Sequence, residues 1–192
     1  MPYDPRPMSD PRVLRAIAHP TRGRILDELG ATGPMRAADV GEALGIPANQ
    51  ASFHLRQLAK YGVIEPAPEA ARDKRDRVWK LRDERGFRLD PSEISKQPGG
   101  KAAVTFFQHN KSAWAHRLVD EVFSFEKKRK DSFSAIVDQA MKLTKDEAAE
   151  FMGEVDEVLA KWADKTRGRS KARRTYVYYS MLQPYPEDAE PS

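Results

Sequence analysis

The chain contains no cysteine among its 192 residues. This absence excludes disulfide bridges, thiolate metal sites and cysteine nucleophiles, and it is typical of proteins from a reducing compartment. No apolar run approaches the ~20 residues that cross a bilayer, and the opening sequence MPYDPRPMSD lacks the apolar core of a signal peptide. We therefore expect a cytoplasmic protein that is not attached to a membrane.

The motifs of the common enzyme classes are also missing. The sequence has no phosphate-binding glycine loop, no G-x-S-x-G elbow and no H-E-x-x-H pair. Adjacent acidic residues such as Asp27-Glu28 and Asp83-Glu84 are typical of a solvated surface. We expect neither an enzyme nor a bound cofactor.

What the chain does have is charge of both signs. Lys and Arg number 33 against 29 Asp and Glu, which leaves a net charge of +4. Such a balance permits nucleic-acid binding without requiring it, so the distribution of charge is more informative than the total. The hydrophobic content of 40% is enough for one domain or two small ones.

Four short helical patterns occupy the first third of the chain. Pro11 suits the first turn of a helix, and the His19-Pro20 pair ends that helix. A second pattern runs from 20 to about 29, and a third from 37 to 44, where Gly45 stops it. The fourth, 47–60, places Ala51, Leu55 and Leu58 on its inner face.

Two β-prone runs, 62–66 and 77–81, follow the fourth helix. The connection between them is polar, and two short strands around such a tip predict a β-hairpin, or wing. The basic side chains expected to grip the DNA backbone or flanking minor groove from this wing are Arg72, Lys74, Arg75 and Arg77.

The fourth helix presents side chains that can hydrogen-bond to base edges or phosphates. The candidate DNA-binding residues on it are Asn49, Gln50, Ser52, Phe53, His54, Arg56 and Gln57. Amides in the first turn, at Asn49 and Gln50, can contact adenine in two places, and Arg56 can reach guanine or a phosphate. Ser52 and His54 suit phosphates better than bases, and His54 has packing as its alternative. The competing interpretation for the whole set is ordinary solvated surface.

This order of elements resembles the winged helix-turn-helix domain of the ArsR-like bacterial transcriptional regulators. The resemblance covers 11–81. It is carried by the segment AIAHPTRGRIL at 16–26, by SFHLRQL at 52–58 and by YGVI at 61–64. The family implies a dimeric regulator, more often a repressor, that reads palindromic promoter DNA. Two caps depart from its pattern, since Arg36 and Pro47 stand where hydroxyl residues commonly begin the third and fourth helices.

The second half reads as a helical region with a small β element. We expect a linker at 91–100, a long helix over 101–126 and a second helix that a Thr144-x-x-Glu147 capping box opens. An aromatic strand is predicted at 175–182. Residues 133–143 fit either a helix or a strand, and we favour a strand that pairs with 175–182.

The predicted fold class is thus mainly α (α+β), with a winged helix-turn-helix followed by a helical dimerisation and regulatory region. The expected boundaries are a loose start at 1–9, the DNA-binding domain at 10–90, the linker at 91–100, the dimerisation and regulatory region at 101–183 and an acidic proline-rich tail at 184–192.

The long helix is the expected dimerisation element, because readers of palindromic DNA are two-fold symmetric. Its stripe is Phe107, Trp114, Leu118, Val122 and Phe125. We expect no metal, although His109, His116 and Asp120 are the residues that could supply nitrogen and oxygen ligands. An aromatic pocket between the two domains, for an effector of unknown identity, is a further option, built from Trp162, Tyr176, Tyr178 and Tyr179.

Two functions remain open from the sequence. The first is a sequence-specific, dimeric transcriptional regulator whose main partner is double-stranded DNA. The alternative is a winged helix that packages DNA without sequence preference or contacts other proteins. The amides of Asn49 and Gln50 favour the first, because unspecific DNA binders need cations more than amides.

Overall fold

The computed structural model describes residues 7–73, 76–83, 88–124, 131–168, 170 and 172–186. The helices are α1 Pro11–Ala18, α2 Pro20–Thr32, α3 Ala37–Leu44, α4 Ala48–Lys60, α5 Pro91–Ser95, α6 Gly100–Phe123 and α7 Lys145–Thr166. The strands are β1 Pro7–Met8, β2 Met35–Arg36, β3 Ile64–Pro66, β4 Val78–Leu81 and β5 Arg88–Leu89. The mainly helical fold class with a small β element is confirmed.

The local signals in the first third of the chain act as the sequence predicts. The Asp10 carboxylate accepts from the backbone N–H of Arg12 at 2.8 Å and so caps α1. His19 separates α1 from α2, and its Nδ1 accepts from the N–H of Thr21 at 3.2 Å. The second helix extends to Thr32, three residues past its predicted end, before Gly33 stops it at a φ of 89°.

A three-stranded antiparallel sheet closes the N-terminal domain, in the order β2-β4-β3. In β4, Trp79 pairs with Met35 of β2 on one side and with Pro66 of β3 on the other. The hairpin of β3 and β4 was predicted, whereas β2 was not, because two residues are too short to show a strand pattern. The sheet and helices α1 to α4 enclose an apolar core whose fully covered members include Leu14, Ile25, Leu29, Val40, Leu55 and Leu58.

The predicted linker is partly folded. Within 91–100, α5 begins after Asp90, whose carboxylate accepts from the N–H of Glu93 at 3.1 Å. Ile94 is fully buried. A Cβ on Gly100 would lie 1.8 Å from the carbonyl oxygen of Ile94, so only glycine lets α6 start this close to α5. The Pro and Gly residues of the predicted linker therefore belong to a tight connection between α5 and α6.

Helix α6 packs along α1 and adds to the N-terminal core. Ala103 is fully buried, and Phe107 and Val104 pack against the same core at its edge. The rest of the predicted stripe is half-buried at Trp114, Leu118 and Val122. Phe125, its last member, lies outside the described residues, as do positions 125 and 126 of the predicted helix.

Among the described residues after α6, α7 is the one helix, and the Thr144–Glu147 capping box opens it as predicted. Thr144 Oγ1 accepts from the N–H of Glu147 at 3.2 Å, and the Glu147 carboxylate accepts from the N–H of Thr144 at 2.7 Å. The predicted pairing of 133–143 with 175–182 is wrong in the part of the chain that the structure describes, because neither segment forms a strand or a helix there. Both lack regular secondary structure and are solvent-exposed, so burial does not select a register.

No helix among the described residues is long and apolar enough to cross a membrane.

Candidate nucleic-acid interface

A tight turn sets the position of α4 against α3. Gly45 ends α3 in the left-handed region at a φ of 68°. The N–H of Ile46 donates to the carbonyl of Gly41 at 2.9 Å. A Cβ on Gly41 would lie 2.8 Å from the carbonyl oxygen of Ile46, so the two helices meet where a side chain does not fit. The backbone thus holds α4 at a defined angle to α3.

Helix α4 has one buried face and one solvent-exposed face. Ala51, Leu55 and Leu58 are fully buried in the core. The opposite face contains Asn49, Gln50, Phe53 and Arg56, all exposed, with Ser52 and Gln57 half-buried beside them. The structure therefore brings six of the seven candidates of this helix to one surface.

The exposed face is neutral or positive along its whole length. The helix has no acidic residue between Ala48 and Lys60, and its N-terminal N–H groups add a partial positive charge beside Asn49 and Gln50. Arg56 donates to the hydroxyl of Ser52 at 2.9 Å, which directs the guanidinium along the helix surface. Such a surface suits an anionic, hydrogen-bonding ligand.

Pro47 and Arg36, which stand where the family has hydroxyl residues, begin their helices in different ways. Pro47 precedes α4 without a side-chain hydrogen bond. In the first turn, the N–H of Gln50 donates instead to Oδ1 of Asn49 at 2.8 Å. At α3 the Asp39 carboxylate accepts from the backbone N–H of Arg36 at 3.0 Å and from its guanidinium at 2.7 Å. Asp76 lies 4.0 Å from the same guanidinium, which connects the wing to the start of α3.

His54 is the one candidate on α4 that faces inward. Its side chain is only 5% exposed, so the packing alternative is favoured over the phosphate contact. Its ring lies 4.9 Å from the ring of His19, and its Nδ1 has no hydrogen-bond partner among the described residues. Burial and the nearby charge of Arg22 lower the pKa of His54, and burial, Arg22 and His54 likewise lower the pKa of His19. Both rings are therefore neutral near pH 7.

The wing presents two of its four predicted basic residues within the described chain. Arg72 and Arg77 are exposed, whereas Lys74 and Arg75 lie outside the described residues. Other cations nearby are engaged by acids: Lys80 contacts Glu69 at 2.8 Å, and Arg82 lies 3.7 Å from Glu65.

Two arginines that position this surface were not predicted. Arg22 donates through Nε to the carbonyl of Ala16 and through Nη2 to that of Arg15 at 3.2 Å, which fixes the α1–α2 junction next to His54. Arg36 connects α3 with the wing. The spacing Arg36-x-x-Asp39 is a signal for the pair of Arg36 with Asp39. The contacts of Arg22 with α1 and of Arg36 with Asp76 depend on tertiary approaches that the sequence does not show.

The remaining candidates of the sequence lie elsewhere. His116 Nδ1 lies 2.8 Å from the carbonyl oxygen of Ser112 in its own helix. Within the described ranges, no group of three or more His, Cys, Asp or Glu side chains converges, so His109, His116 and Asp120 gain no further ligand. The groove near Tyr178 is formed with α7 rather than between the two domains, and Trp162 is not among the residues that line it.

Residues 17–67 match the family model described as a helix-turn-helix domain. The chain carries a helix-turn-helix domain. The match runs from the end of α1 through the exposed helix α4 to β3, and it does not distinguish the ArsR-like regulators from other families with this domain. No curated protein matches the chain.

Several solved structures are similar to the chain at low identity. A variant of ZitR from Lactococcus lactis in apo form is 18% identical over 74% of this chain and 83% of its own, with a TM-score of 0.33. The YusO protein of Bacillus subtilis is 15% identical over 80% and 83%, with a TM-score of 0.35. A MarR variant from E. coli, complexed with operator DNA, is 17% identical over 77% and 84%, with a TM-score of 0.32. Likenesses this weak do not indicate what the present chain binds.

Proposed function

We propose that the protein is a sequence-specific transcriptional regulator that inserts α4 into the major groove of double-stranded DNA. One observation carries this proposal: α4 is held by its buried face and turns Asn49, Gln50 and Arg56 outward together. A helix about 10–12 Å wide fits the major groove, where amides and guanidinium groups distinguish the base pairs. The exposed Arg72 and Arg77 of the wing supply backbone contacts in the same proposal.

The finer parts of the proposal follow from the way such domains read DNA. The regulator is ArsR-like, acts in the cytoplasm as a repressor by occupying promoter DNA, and binds a palindrome as a homodimer. The two-fold axis of the palindrome is matched by that of the protein, with α6 at the interface. The exposed apolar residues Phe106, Val119 and Phe123 on α6 support this last part.

The decisive experiment measures sequence preference rather than affinity alone. The full chain is titrated against genomic fragments at several salt concentrations in the presence of competitor DNA. We expect Asn49→Ala and Gln50→Ala each to lower the preference for the best fragment by about tenfold, corresponding to ~1–3 kcal/mol per lost base contact. Gln183→Ala removes an equally exposed amide outside the N-terminal domain and should leave the preference unchanged.

Two results would count against the proposal. If the variants at Asn49 and Gln50 kept the full preference, α4 would not be the reading helix. If the unsubstituted chain bound every fragment equally, with a steep dependence on salt, it would be a packaging protein, because such affinity comes from phosphates alone.

A further inference from the structure

Helix α7 presents an apolar seam that the described chain leaves largely uncovered. The helix has no fully buried residue, and Val158 and Trp162 are 55% and 53% exposed. Phe151, Val155, Val158 and Trp162 follow one another at intervals of four, three and four residues, which is the spacing of a coiled-coil seam. An exposed seam of this kind is built to pack against another helix.

A groove runs along this seam and is open on its outer side. It has a volume of about 290 Å³ and is lined by Phe151, Glu154, Val155, Val158, Leu159 and Tyr178. Tyr178 belongs to the solvent-exposed segment after α7. That segment is held at its start by Arg174, which is paired with Asp131, and by Thr175, whose hydroxyl donates to Glu28 at 3.0 Å. The chain therefore builds one wall of the groove and leaves the other side to solvent.

The charges beside the seam are arranged so that the helix complements itself. Glu154 and Lys161 each directly precede a seam residue, Val155 and Trp162, and they are seven residues apart on the same flank. In an antiparallel pair of identical helices, this flank of one copy lies against the same flank of the other copy, which runs in the opposite direction. If Val155 lies opposite Val158 of the second copy and Phe151 opposite Trp162, the same register sets Glu154 opposite Lys161. A single register therefore pairs both the apolar residues and the opposite charges.

We propose that α7 pairs antiparallel with α7 of a second copy of this chain, in that register. The apolar side chains of α7 itself favour this contact. Val158, Leu159 and Trp162 are 55%, 37% and 53% exposed, so the pairing removes apolar surface of both copies from water.

This contact is separate from the proposed DNA reading. It is tested by measuring self-association in the absence of DNA. It also differs from the α6 contact, since it brings the two C-terminal regions together. The test is light scattering and sedimentation of the full chain at several concentrations. We expect a dimer of the 21.7 kDa chain whose dissociation depends on residues of α7.

Charge reversal tests the register directly. Glu154→Lys and Lys161→Glu, each alone, set like charges opposite one another twice per dimer, and each should weaken the dimer by about tenfold. The double variant E154K/K161E restores opposite charges and should restore the native dissociation constant. Within one helix, the double variant still lacks the native pair of Glu157 with Lys161. A restored dissociation constant would therefore come from the contact between the two copies. Asp156→Lys, on the other flank, is the control and should change little.

A substitution in the seam supplies the second test. Val158→Asp sets a charge at the centre of the seam and should abolish this contact, whereas Ala160→Asp sets the same charge on the opposite side of α7 and should leave it intact. A monomeric native chain would overturn this inference and the α6 dimer together. A dimer that survives Val158→Asp at native strength, or a double charge variant weaker than both singles, would overturn this inference alone and would leave the α6 dimer and the DNA reading untouched.

Discussion

At the scale of single residues, we expect the buried His54, whose ring contacts the half-buried His19, to make the stability of the N-terminal domain sensitive to pH. His54 lies in the core against His19 and has no hydrogen-bond partner for Nδ1 within the described part of the chain, and the charge of Arg22 is near. The folded state therefore lowers the pKa of His54 from its ordinary value of 6.5. A proton on His54 would add a charge that its buried surroundings solvate poorly.

The sign of the pH dependence follows from this lowered pKa. Above the ordinary value of 6.5 both states are neutral, and the stability is complete. Below it the unfolded chain takes up protons first, so the free energy of unfolding falls until the pH passes the lowered pKa of the folded state. We expect His54→Leu to reduce the loss between about pH 8 and about pH 5, measured by urea unfolding. His109→Leu, at an exposed site, is the control. If the native chain and both variants lost the same free energy of unfolding over this pH range, His54 would not be the cause.

At the scale of elements, the wing differs from the strands that carry it. Its exposed Arg72 and Arg77 have no ion pair among the described residues, whereas Arg82 at the end of β4 lies beside Glu65. Only the first two are placed to neutralise phosphates in the proposed complex.

We expect Arg72→Ala and Arg77→Ala each to reduce the slope of log K against log salt by about one, because each phosphate contact releases about one counterion. Arg82→Ala should leave the slope unchanged. The measurement is a DNA-binding titration at several salt concentrations. If the native chain and the three variants all had the same slope, the wing would not contact the DNA.

Some elements of the fold can be predicted from the sequence and others cannot. Helices α1 to α4 and α7 follow their apolar spacing and their caps, which are local signals. Strand β2 and helix α5 are too short to show a period, and the Pro and Gly residues around α5 resemble a linker. The burial of His54 depends on a contact with His19, 35 positions earlier in the printed sequence, and no local pattern encodes such a contact.

At the scale of the whole molecule, the boundary between the two halves does not fall where the chain composition changes. Helix α6 belongs by sequence to the C-terminal half, yet its first turns complete the N-terminal core. Ala103 is fully buried there, next to residues of α1 and α5. The first half therefore depends on the second for its stability.

We expect Ala103→Glu to destabilise the N-terminal domain by about 3 kcal/mol or more, because it buries a carboxylate without a partner. Ala102→Glu, one position away at an exposed site, should change the free energy of unfolding by less than ~0.5 kcal/mol. Chemical unfolding followed by the signals of Trp79 and Trp114 measures both. If the two variants were equally stable, α6 would not be part of the N-terminal core.

The pairing of β1 with β5 sets the order in which a growing chain can fold on the ribosome. The segments that form the helix-turn-helix have all been synthesised by Pro66, but Pro7 and Met8 cannot find their parallel partners until Arg88 and Leu89 have emerged. The buried Ala103 emerges later still. At ~5–20 residues per second, this interval lasts several seconds, during which the part of α1 that packs on α6 stays uncovered. A nascent chain stalled between these points is the form that most needs a chaperone.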